Sequence, residues 1–312
     1  MNAFIRYASA ALVTAALAIP GGRADAQPAR TPDTDQTVPV TRGTQLFVNN
    51  FAGEVVVQAW QQDQVRVQAR HSSHVRVNVR TAENAVRLSS ASSSGTPSVD
   101  YDIRVPAWMS VRVNGQFDYI EVDGTQADVY AENVRGDIHV KGGSGVVSLK
   151  SIEGEITAED TKGRLTVSSV NESIALLRPS GEISAETING EITFTDARAN
   201  SVEVTTVNGD VRYTGLISDN GLYRFNTHQG DILIGVQDRV NATVSIRSYQ
   251  GDFRSSFPFK AENTARGRRQ TFTVGTGSAQ IELESFGGDI RLLRTSEMPP
   301  EKKEKDKSKD ER

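Results

Sequence analysis

The chain has 312 residues, a mass of 33.9 kDa and a formal net charge of -4, a size that suits one large all-β domain or two smaller domains. The pI near 5.7 argues against the global basic field that recruits nucleic acid or anionic membranes. The absence of cysteine excludes disulfides, thiolate metal sites, a cysteine nucleophile and a lipidated cysteine.

The first 26 residues are typical of a secretory signal peptide. They contain a lone Arg6, an apolar stretch over 8–19 and a small-residue cleavage site at 24–26, so cleavage is expected before Gln27. A membrane-spanning helix needs about 20 apolar residues, which makes a retained anchor the weaker alternative. The sequence therefore predicts an exported protein, periplasmic or secreted, with no transmembrane segment in the mature chain.

Two flanking segments lack the composition of a folded core. Residues 27–43 are rich in Pro, Thr, Asp and Gln, which predicts a flexible lead-in. Residues 295–312 are predicted to be a disordered charged tail, because from Glu301 onward Lys alternates with Glu or Asp and no residue is apolar. The folded domain is therefore expected at 44–294.

A triplet of Gly, an acid and an apolar residue recurs through the chain, and such self-similarity is typical of repeat architectures. The spacing is 18 to 21 residues, apart from one position where Glu172 replaces the glycine and a last step of 37 residues that contains an insertion. The triplets are Gly136-Asp137-Ile138, Gly154-Glu155-Ile156, Gly190-Glu191-Ile192, Gly209-Asp210-Val211, Gly230-Asp231-Ile232, Gly251-Asp252-Phe253 and Gly288-Asp289-Ile290.

Positions counted from the repeat glycine divide each unit into two short strands. Residues seven and five before it are apolar in every unit, as are those two and four after it, with Ser255 the exception. Because side chains alternate between the faces of a strand, these positions share one buried face. A hydroxyl residue three before the glycine and a change of phase beside it predict a bend, where glycine can adopt a conformation closed to other residues.

A unit of this size cannot bury its apolar face alone, but stacked units can. We therefore predict an all-β fold, a single-chain parallel β-helix or β-solenoid with coils of 18–21 residues and about nine coils from residue 111 onward. Regular coils are expected at 111–294. The looser pattern at 44–110 predicts a less regular N-terminal cap.

A column of amides supports parallel stacking. The residue before the glycine is Asn171, Asn189, Asn208, Gln229 and Gln250 in five consecutive units. Amides stacked in register donate to and accept from identical neighbours, which an antiparallel meander would not allow. The alternative is that these residues only favour turns.

Three segments carry a resemblance to a known family: LFVNNFAGEV at 46–55, VDYDIRVP at 99–106 and NGEI at 189–192. In this order and spacing they resemble the bacterial family of proposed adhesins, which are domains of unknown function. The resemblance covers about residues 44–294. It implies an exported β-solenoid without established catalytic residues.

The repeat acids are expected to form a column along one outer edge of the stack. Like charges this close oppose each other by roughly 1 kcal/mol even in water. One hypothesis is weak Ca²⁺ binding or docking of a cationic partner, and the alternative is a solvated edge neutralised by Arg and by salt. The acids are Asp137, Glu155, Glu191, Asp210, Asp231, Asp252 and Asp289.

The insertion between Phe257 and Thr271 is basic. A loop of this length is either functional or merely tolerated, so it is either a site for an anionic glycan or lipid head group or an exposed basic loop. The candidate ligand-binding residues are Lys260, Arg266, Arg268 and Arg269.

Two classes of function remain. The favoured hypothesis is a noncatalytic, adhesin-like binding or scaffold module of the bacterial envelope, whose partner is an envelope glycan or another envelope protein. The alternative is a β-helix polysaccharide lyase or hydrolase, although coils of 18–21 residues leave little room for the long loops that cover a catalytic groove. No catalytic residue, metal site or cofactor is predicted, because His71 and His74 fall on opposite faces of a strand and no nucleophile motif is present.

Overall fold

The computed structural model describes residues 33–258, 262–263 and 269–300, which form 26 β-strands and one short 3-10 helix. The first strands are β1 (Thr34–Pro39), β2 (Gln45–Asn49), β3 (Ala52–Trp60), β4 (Gln64–His71), β5 (Val75–Ala82), β6 (Ala85–Ser92), β7 (Val99–Pro106), β8 (Ser110–Asn114), β9 (Phe117–Thr125), β10 (Val129–Glu132), β11 (Ile138–Gly142), β12 (Ser144–Lys150) and β13 (Ile156–Glu159). They are followed by β14 (Lys162–Ser168), β15 (Ile174–Leu177), β16 (Ser180–Asn189), β17 (Ile192–Asn208), β18 (Val211–Gly215), β19 (Leu222–Gln229), β20 (Ile232–Val236), β21 (Ala242–Ser248), β22 (Phe253–Ser255), β23 (Glu262–Asn263), β24 (Arg269–Val274), β25 (Ala279–Ser285), β26 (Ile290–Arg294) and the 3-10 helix (Thr295–Glu297).

Some of the sequence predictions fall outside the described residues. These are the signal peptide at 1–26, three of the four basic residues of the insertion, and the tail beyond residue 300. Within the described part of the chain, no helix has the length and apolarity needed to cross a membrane.

The predicted coil is confirmed. Each coil places one strand in a first sheet and the next strand in a second sheet, and neighbouring coils pair in parallel with side chains in register. In the first sheet Val147 lies opposite Leu165, and in the second Ile156 lies opposite Ile174. The 17-residue strand β17 belongs to both sheets, because its first half pairs with β15 and its second half with β16. Asn189 pairs with Asn208, as parallel stacking requires.

The core lies between the two sheets and consists of the predicted apolar columns. In one coil Leu165, Val167, Ile174 and Leu176 are all buried, and equivalent residues above and below are buried as well. Burying such side chains contributes about 1.5 to 3 kcal/mol each relative to leaving them in water. Because a lone coil would expose one side of this face, the stack rather than the single unit is what the sequence stabilises.

The repeat glycine lies at the corner between the first and second sheets, which we call the glycine corner. A Cβ on Gly154 would lie 2.1 Å from the carbonyl oxygen of Gly136 in the coil below, and one on Gly209 would lie 1.9 Å from that of Gly190. Most repeat glycines have no left-handed φ, so the expectation that they supply a special conformation is wrong for them. Glycine is favoured at these positions because the carbonyl oxygen of the neighbouring coil lies where a Cβ would be, although two coils have Asp118 and Glu172 in the same place.

The N-terminal end does not follow chain order. The coil β2–β3 stacks directly on β8–β9, and the later coil β6–β7 lies on its other side. Strands β4 and β5 then add to the two sheets in the antiparallel sense. The region predicted as an irregular cap therefore contains two parallel coils, and β1 lies within the predicted flexible lead-in, where it pairs with β4.

The C-terminal end is interleaved in the same way. Coil β25–β26 is inserted between β19–β20 and β21–β22, so the unit of Gly288 separates the units of Gly230 and Gly251. The described part of the insertion forms strands and not only a loop, because β24 pairs antiparallel with β21 at the edge of the first sheet and β23 pairs antiparallel with β24. The 3-10 helix lies at the start of the predicted tail.

Adjacent glycines test whether close stacking explains the repeat. Gly288→Ala should destabilise the fold by about 3 kcal/mol or more, because its Cβ would lie 2.0 Å from the carbonyl oxygen of Gly230. Gly287→Ala is the matched control, since its Cβ meets nothing closer than 3.4 Å and should cost no more than about 0.5 kcal/mol. Chemical denaturation measures both, and equal losses would contradict the close-stacking explanation.

Asp118 replaces the repeat glycine in the coil β8–β9 and is buried, at 2% exposure. Its two carboxylate oxygens accept hydrogen bonds from the Asn50 side-chain amide at 2.7 Å and from the Gln116 backbone N–H at 3.1 Å. The side chain fits because Gly115 leaves space, where a Cβ would lie 2.7 Å from the carboxylate. Burial raises the pKa of Asp118 to about 6.

This raised pKa predicts a pH dependence of stability. The folded state holds the Asp118 proton more tightly than the unfolded chain does, so the contribution of this group is fully present below about pH 4 and is lost as the pH rises through about 6. The loss should amount to about 3 kcal/mol relative to Asp118→Asn, which does not titrate. Urea unfolding of both proteins at pH 4, 5, 6 and 7 measures it, and parallel pH profiles would contradict the assignment.

Candidate functional site

The glycine corner repeats the same polar contacts from coil to coil. Most hydroxyls three residues before the glycine are buried, and those in the later coils donate to a carbonyl oxygen of the neighbouring coil, whereas the buried hydroxyls of Ser151 and Ser169 have no hydrogen-bond partner among the described residues. Thr227 donates to the Gly209 carbonyl at 3.0 Å, and Ser285 donates to that of Gly230 at 3.1 Å. These contacts tie adjacent coils together at the corner, and the side chains on either side of it follow the spacing of the strands, about 4.8 Å.

An exposed apolar column follows directly after the buried hydroxyls. These side chains point to solvent although the residue before each of them is buried, and the exposure of the exposed members ranges from 38% for Phe286 to 47% for Ile188. Val170 belongs to the same column and is half-buried. We call this column the apolar ridge, and its members are Val134, Ile152, Val170, Ile188, Val207 and Phe286.

Aromatic rings extend the ridge at both ends. Near the C-terminal end Phe286 stacks on His228 at a centroid distance of 4.8 Å and contacts Tyr249 at 5.3 Å. At the other end Phe51 and Phe117 lie 5.5 Å apart. From Phe51 to Tyr249 the stack has ten coils, which gives a length of about 43 Å, and the ridge position is occupied by Gln116 in coil β8–β9 and by His228 in coil β19–β20.

The residues two before the repeat glycine are mostly apolar in the sequence, and the change of phase predicted beside the buried hydroxyl hides the fact that they are exposed. Strand β16 continues through Ile188 to Asn189, so the bend comes after the ridge position and not before it. Thr187 is then inward and Ile188 outward, as simple alternation requires. Continuing the alternation from the buried hydroxyl would have identified the ridge.

The predicted amide column is present in part. Asn189 donates to the side-chain oxygen of Asn171 at 3.2 Å, and Asn208 donates to that of Asn189 at 2.8 Å. Gln229 follows in register with Asn208. The expectation that Gln250 continues the column directly is wrong, because the inserted coil places Gly287 next to Gln229.

The acids form a column with a specific backbone contact. Several of these carboxylates accept a hydrogen bond from the backbone N–H of the acid in the next coil. Where the column has Ser173 instead of an acid, the Ser173 hydroxyl oxygen accepts the N–H of Glu191. Because a short side chain reaches one strand spacing, these acids tie adjacent coils together. The contacts run from Glu155 to Asp137 at 2.9 Å, Asp231 to Asp210 at 2.8 Å, Asp289 to Asp231 at 2.9 Å and Asp252 to Asp289 at 3.0 Å, with the N–H donor named first.

Hydrogen bonds and a cation offset the repulsion along this column. The pKa of Asp289 is lowered, first by the N–H of Asp252 and then by Arg291, whose guanidinium lies 3.4 Å from it and 3.7 Å from Asp231. Among the residues that the structure describes, no three acidic or histidine side chains converge as ligands for a metal ion.

One of the four basic residues of the insertion can be placed. Arg269 begins β24, donates to the Ser245 hydroxyl at 2.6 Å and lies 3.9 Å from a Glu282 oxygen. It therefore lies against the outer face of the first sheet. Lys260, Arg266 and Arg268 are outside the described residues, so their part in a binding site stays a prediction.

The structural role of the acids can be tested at Asp210. Asp210→Asn keeps an oxygen that can accept the N–H of Asp231 and removes a negative charge, so stability should stay within about 0.5 kcal/mol of the native protein. Asp210→Ala loses the acceptor and should cost about 1 to 2 kcal/mol.

Urea unfolding with and without calcium measures both variants. If Asp210→Asn and Asp210→Ala lose the same free energy of unfolding, the carboxylate does not act as a hydrogen-bond acceptor. A metal site would be favoured if calcium stabilises the native protein and neither variant.

The family model described as Toastrack DUF4097 matches residues 37–293. No curated protein matches the sequence. A solved structure of a proposed cell adhesion protein from Clostridium sporogenes has 9% identity and a TM-score of 0.24, covering 85% of this chain and 100% of its own. That of a proposed lipid binding protein from Parabacteroides distasonis has 10% identity and a TM-score of 0.44, covering 84% of this chain and 99% of its own.

Proposed function

The chain belongs to the Toastrack DUF4097 family, and we propose that it is an exported, noncatalytic binding or scaffold module of the bacterial envelope. The family match supports the β-solenoid. The binding role rests on one observation, the apolar ridge. The partner of the proposed module is an envelope glycan or another envelope protein.

The ridge supports binding because the fold gains little from it. Single exposed apolar side chains are ordinary, whereas a continuous line of them marks an interaction surface. Ile152 and Ile188 are 45% and 47% exposed and lie outside the core between the sheets. Covering them with a partner would remove apolar surface from water, at about 25 cal/mol per Å².

The geometry of the ridge favours an elongated partner. The amides of Asn171, Asn189 and Asn208 run beside the apolar side chains and offer polar contacts at the same spacing. Because the corner is fixed by hydrogen bonds between coils, little conformational entropy is lost when a partner binds. A rigid linear surface of this kind is typical of repeat proteins that bind along their length.

The ridge is tested by replacing isoleucine with threonine, which keeps β-branching and therefore strand preference. Ile152→Thr/Ile188→Thr should retain its melting temperature but bind isolated envelope fractions at least tenfold more weakly, since each lost contact is worth about 1 kcal/mol. Leu222→Thr is the control, because Leu222 is 38% exposed and lies off the ridge. Co-sedimentation with peptidoglycan and with membranes measures retention.

Unchanged retention of the double variant would contradict the role of the ridge. A product assay on envelope and plant polysaccharides addresses the other class of function, because turnover would favour the lyase or hydrolase over the binding module. Mass spectrometry of the periplasmic and secreted fractions tests export, with a mature chain that begins at Gln27 as the expected species.

A further inference from the structure

The second corner of the coil, where the chain returns from the second sheet to the first, has unusual backbone conformations. We call it the return corner. Two early coils turn there with glycine in the left-handed region, Gly124 at φ +81° and Gly142 at φ +93°. The next three coils adopt left-handed φ with Asp160 at +54°, Arg178 at +50° and Asp196 at +55°.

The backbone of these three residues is strained, because a left-handed φ is unfavourable for any residue except glycine. A left-handed conformation is less common for residues such as Arg178 than for Asp. Glycine serves the same position in adjacent coils, so the fold does not require these side chains. Strain retained at one patch of a regular structure points to a function of that patch.

The side chains form a charged groove of about 550 Å³ at this corner. The first row, Asp160, Arg178 and Asp196, alternates in charge along the stack. A second row consists of Lys162, Ser180 and Arg198, which lie opposite one another in adjacent coils. The hydroxyl of Ser180 therefore has one cationic residue on each side of it. The exposed side chain of Leu216 and Thr295 of the 3-10 helix complete the lining.

Lys162 helps to lower the pKa of Asp160 through space but makes no direct contact with it, whereas Arg178 is held in place by ion pairs. Its guanidinium donates to both carboxylate oxygens of Asp160, at 2.8 and 3.0 Å, and to Glu159, and these contacts raise its pKa. Among the described residues, Lys162 and Arg198 form no ion pair within 4 Å. The Asp196 carboxylate accepts no hydrogen bond from any described residue, since only its backbone N–H is engaged, by Thr214.

We propose that this groove binds an acidic sugar residue of a glycan. Lys162 and Arg198 bind the acidic group, Asp196 accepts sugar hydroxyls, and Leu216 packs against the apolar face of the ring. The carboxylates of the first row disfavour a dense polyanion such as nucleic acid, because like charges would face each other. The groove lies at the corner opposite the ridge, so this site adds to the proposed function without depending on the ridge.

Calorimetry with trigalacturonic acid, galactotriose and inorganic phosphate tests the site. The native protein should bind trigalacturonic acid with a Kd between about 10 μM and 1 mM, and both other probes at least tenfold more weakly. Binding should weaken as salt is raised. No heat with trigalacturonic acid at about 5 mM, or equal binding of galactotriose or phosphate, would overturn the proposal.

Matched variants locate the binding. Lys162→Gln/Arg198→Gln should lose at least tenfold in affinity, whereas Arg76→Gln/Arg80→Gln removes the same charge from the exposed face of β5 and should leave binding within twofold. Asp196→Gly should weaken binding while its melting temperature stays equal or rises, because glycine relieves the left-handed strain. Native affinity in the Lys162/Arg198 variant, or an equal loss in the β5 control, would overturn the site.

Discussion

The close approach of stacked backbones at the glycine corner is the constraint on which the rest of the structure depends. A Cβ on most of the repeat glycines would lie about 2 Å from a carbonyl oxygen of the neighbouring coil. Once the coils are this close, a carboxylate can reach the N–H of the coil above, a hydroxyl can reach a carbonyl of the coil below, and amides can bond to their equivalents. The columns of glycine, acid, hydroxyl and amide residues therefore all depend on the same short distance between neighbouring coils.

The repeat predicted the parallel coils because an apolar face that recurs every 18 to 21 residues can be buried only by stacking. It could not predict which coils are neighbours at the ends. The units of Gly251 and Gly288 carry the same pattern, so either would fit beside the unit of Gly230, and the order is decided by the connections. For this reason the sequence predicts that Gln250 lies next to Gln229, whereas in the structure coil β25–β26 separates them.

The candidate sites were harder to predict than the core, for different physical reasons. The ridge has a clear apolar signal, but its exposure depends on whether the strand bends before or after Ile188. The groove has no column of one residue type, because Asp160, Arg178 and Asp196 share a left-handed backbone conformation while their charge alternates from coil to coil. Sequence patterns report side chains, and a shared φ leaves no mark on them unless glycine occupies the position.

The interleaved ends give this protein a property that most stacked repeats lack. An ordinary array can be shortened from either terminus, because each unit depends only on the one before it. Here the last coil in the chain is an interior layer, in contact with β19–β20 on one side and β21–β22 on the other. Removal of residues 279–312 would take away this coil and leave a gap between β19–β20 and β21–β22, so the stack cannot be shortened by one outer coil from this end of the chain.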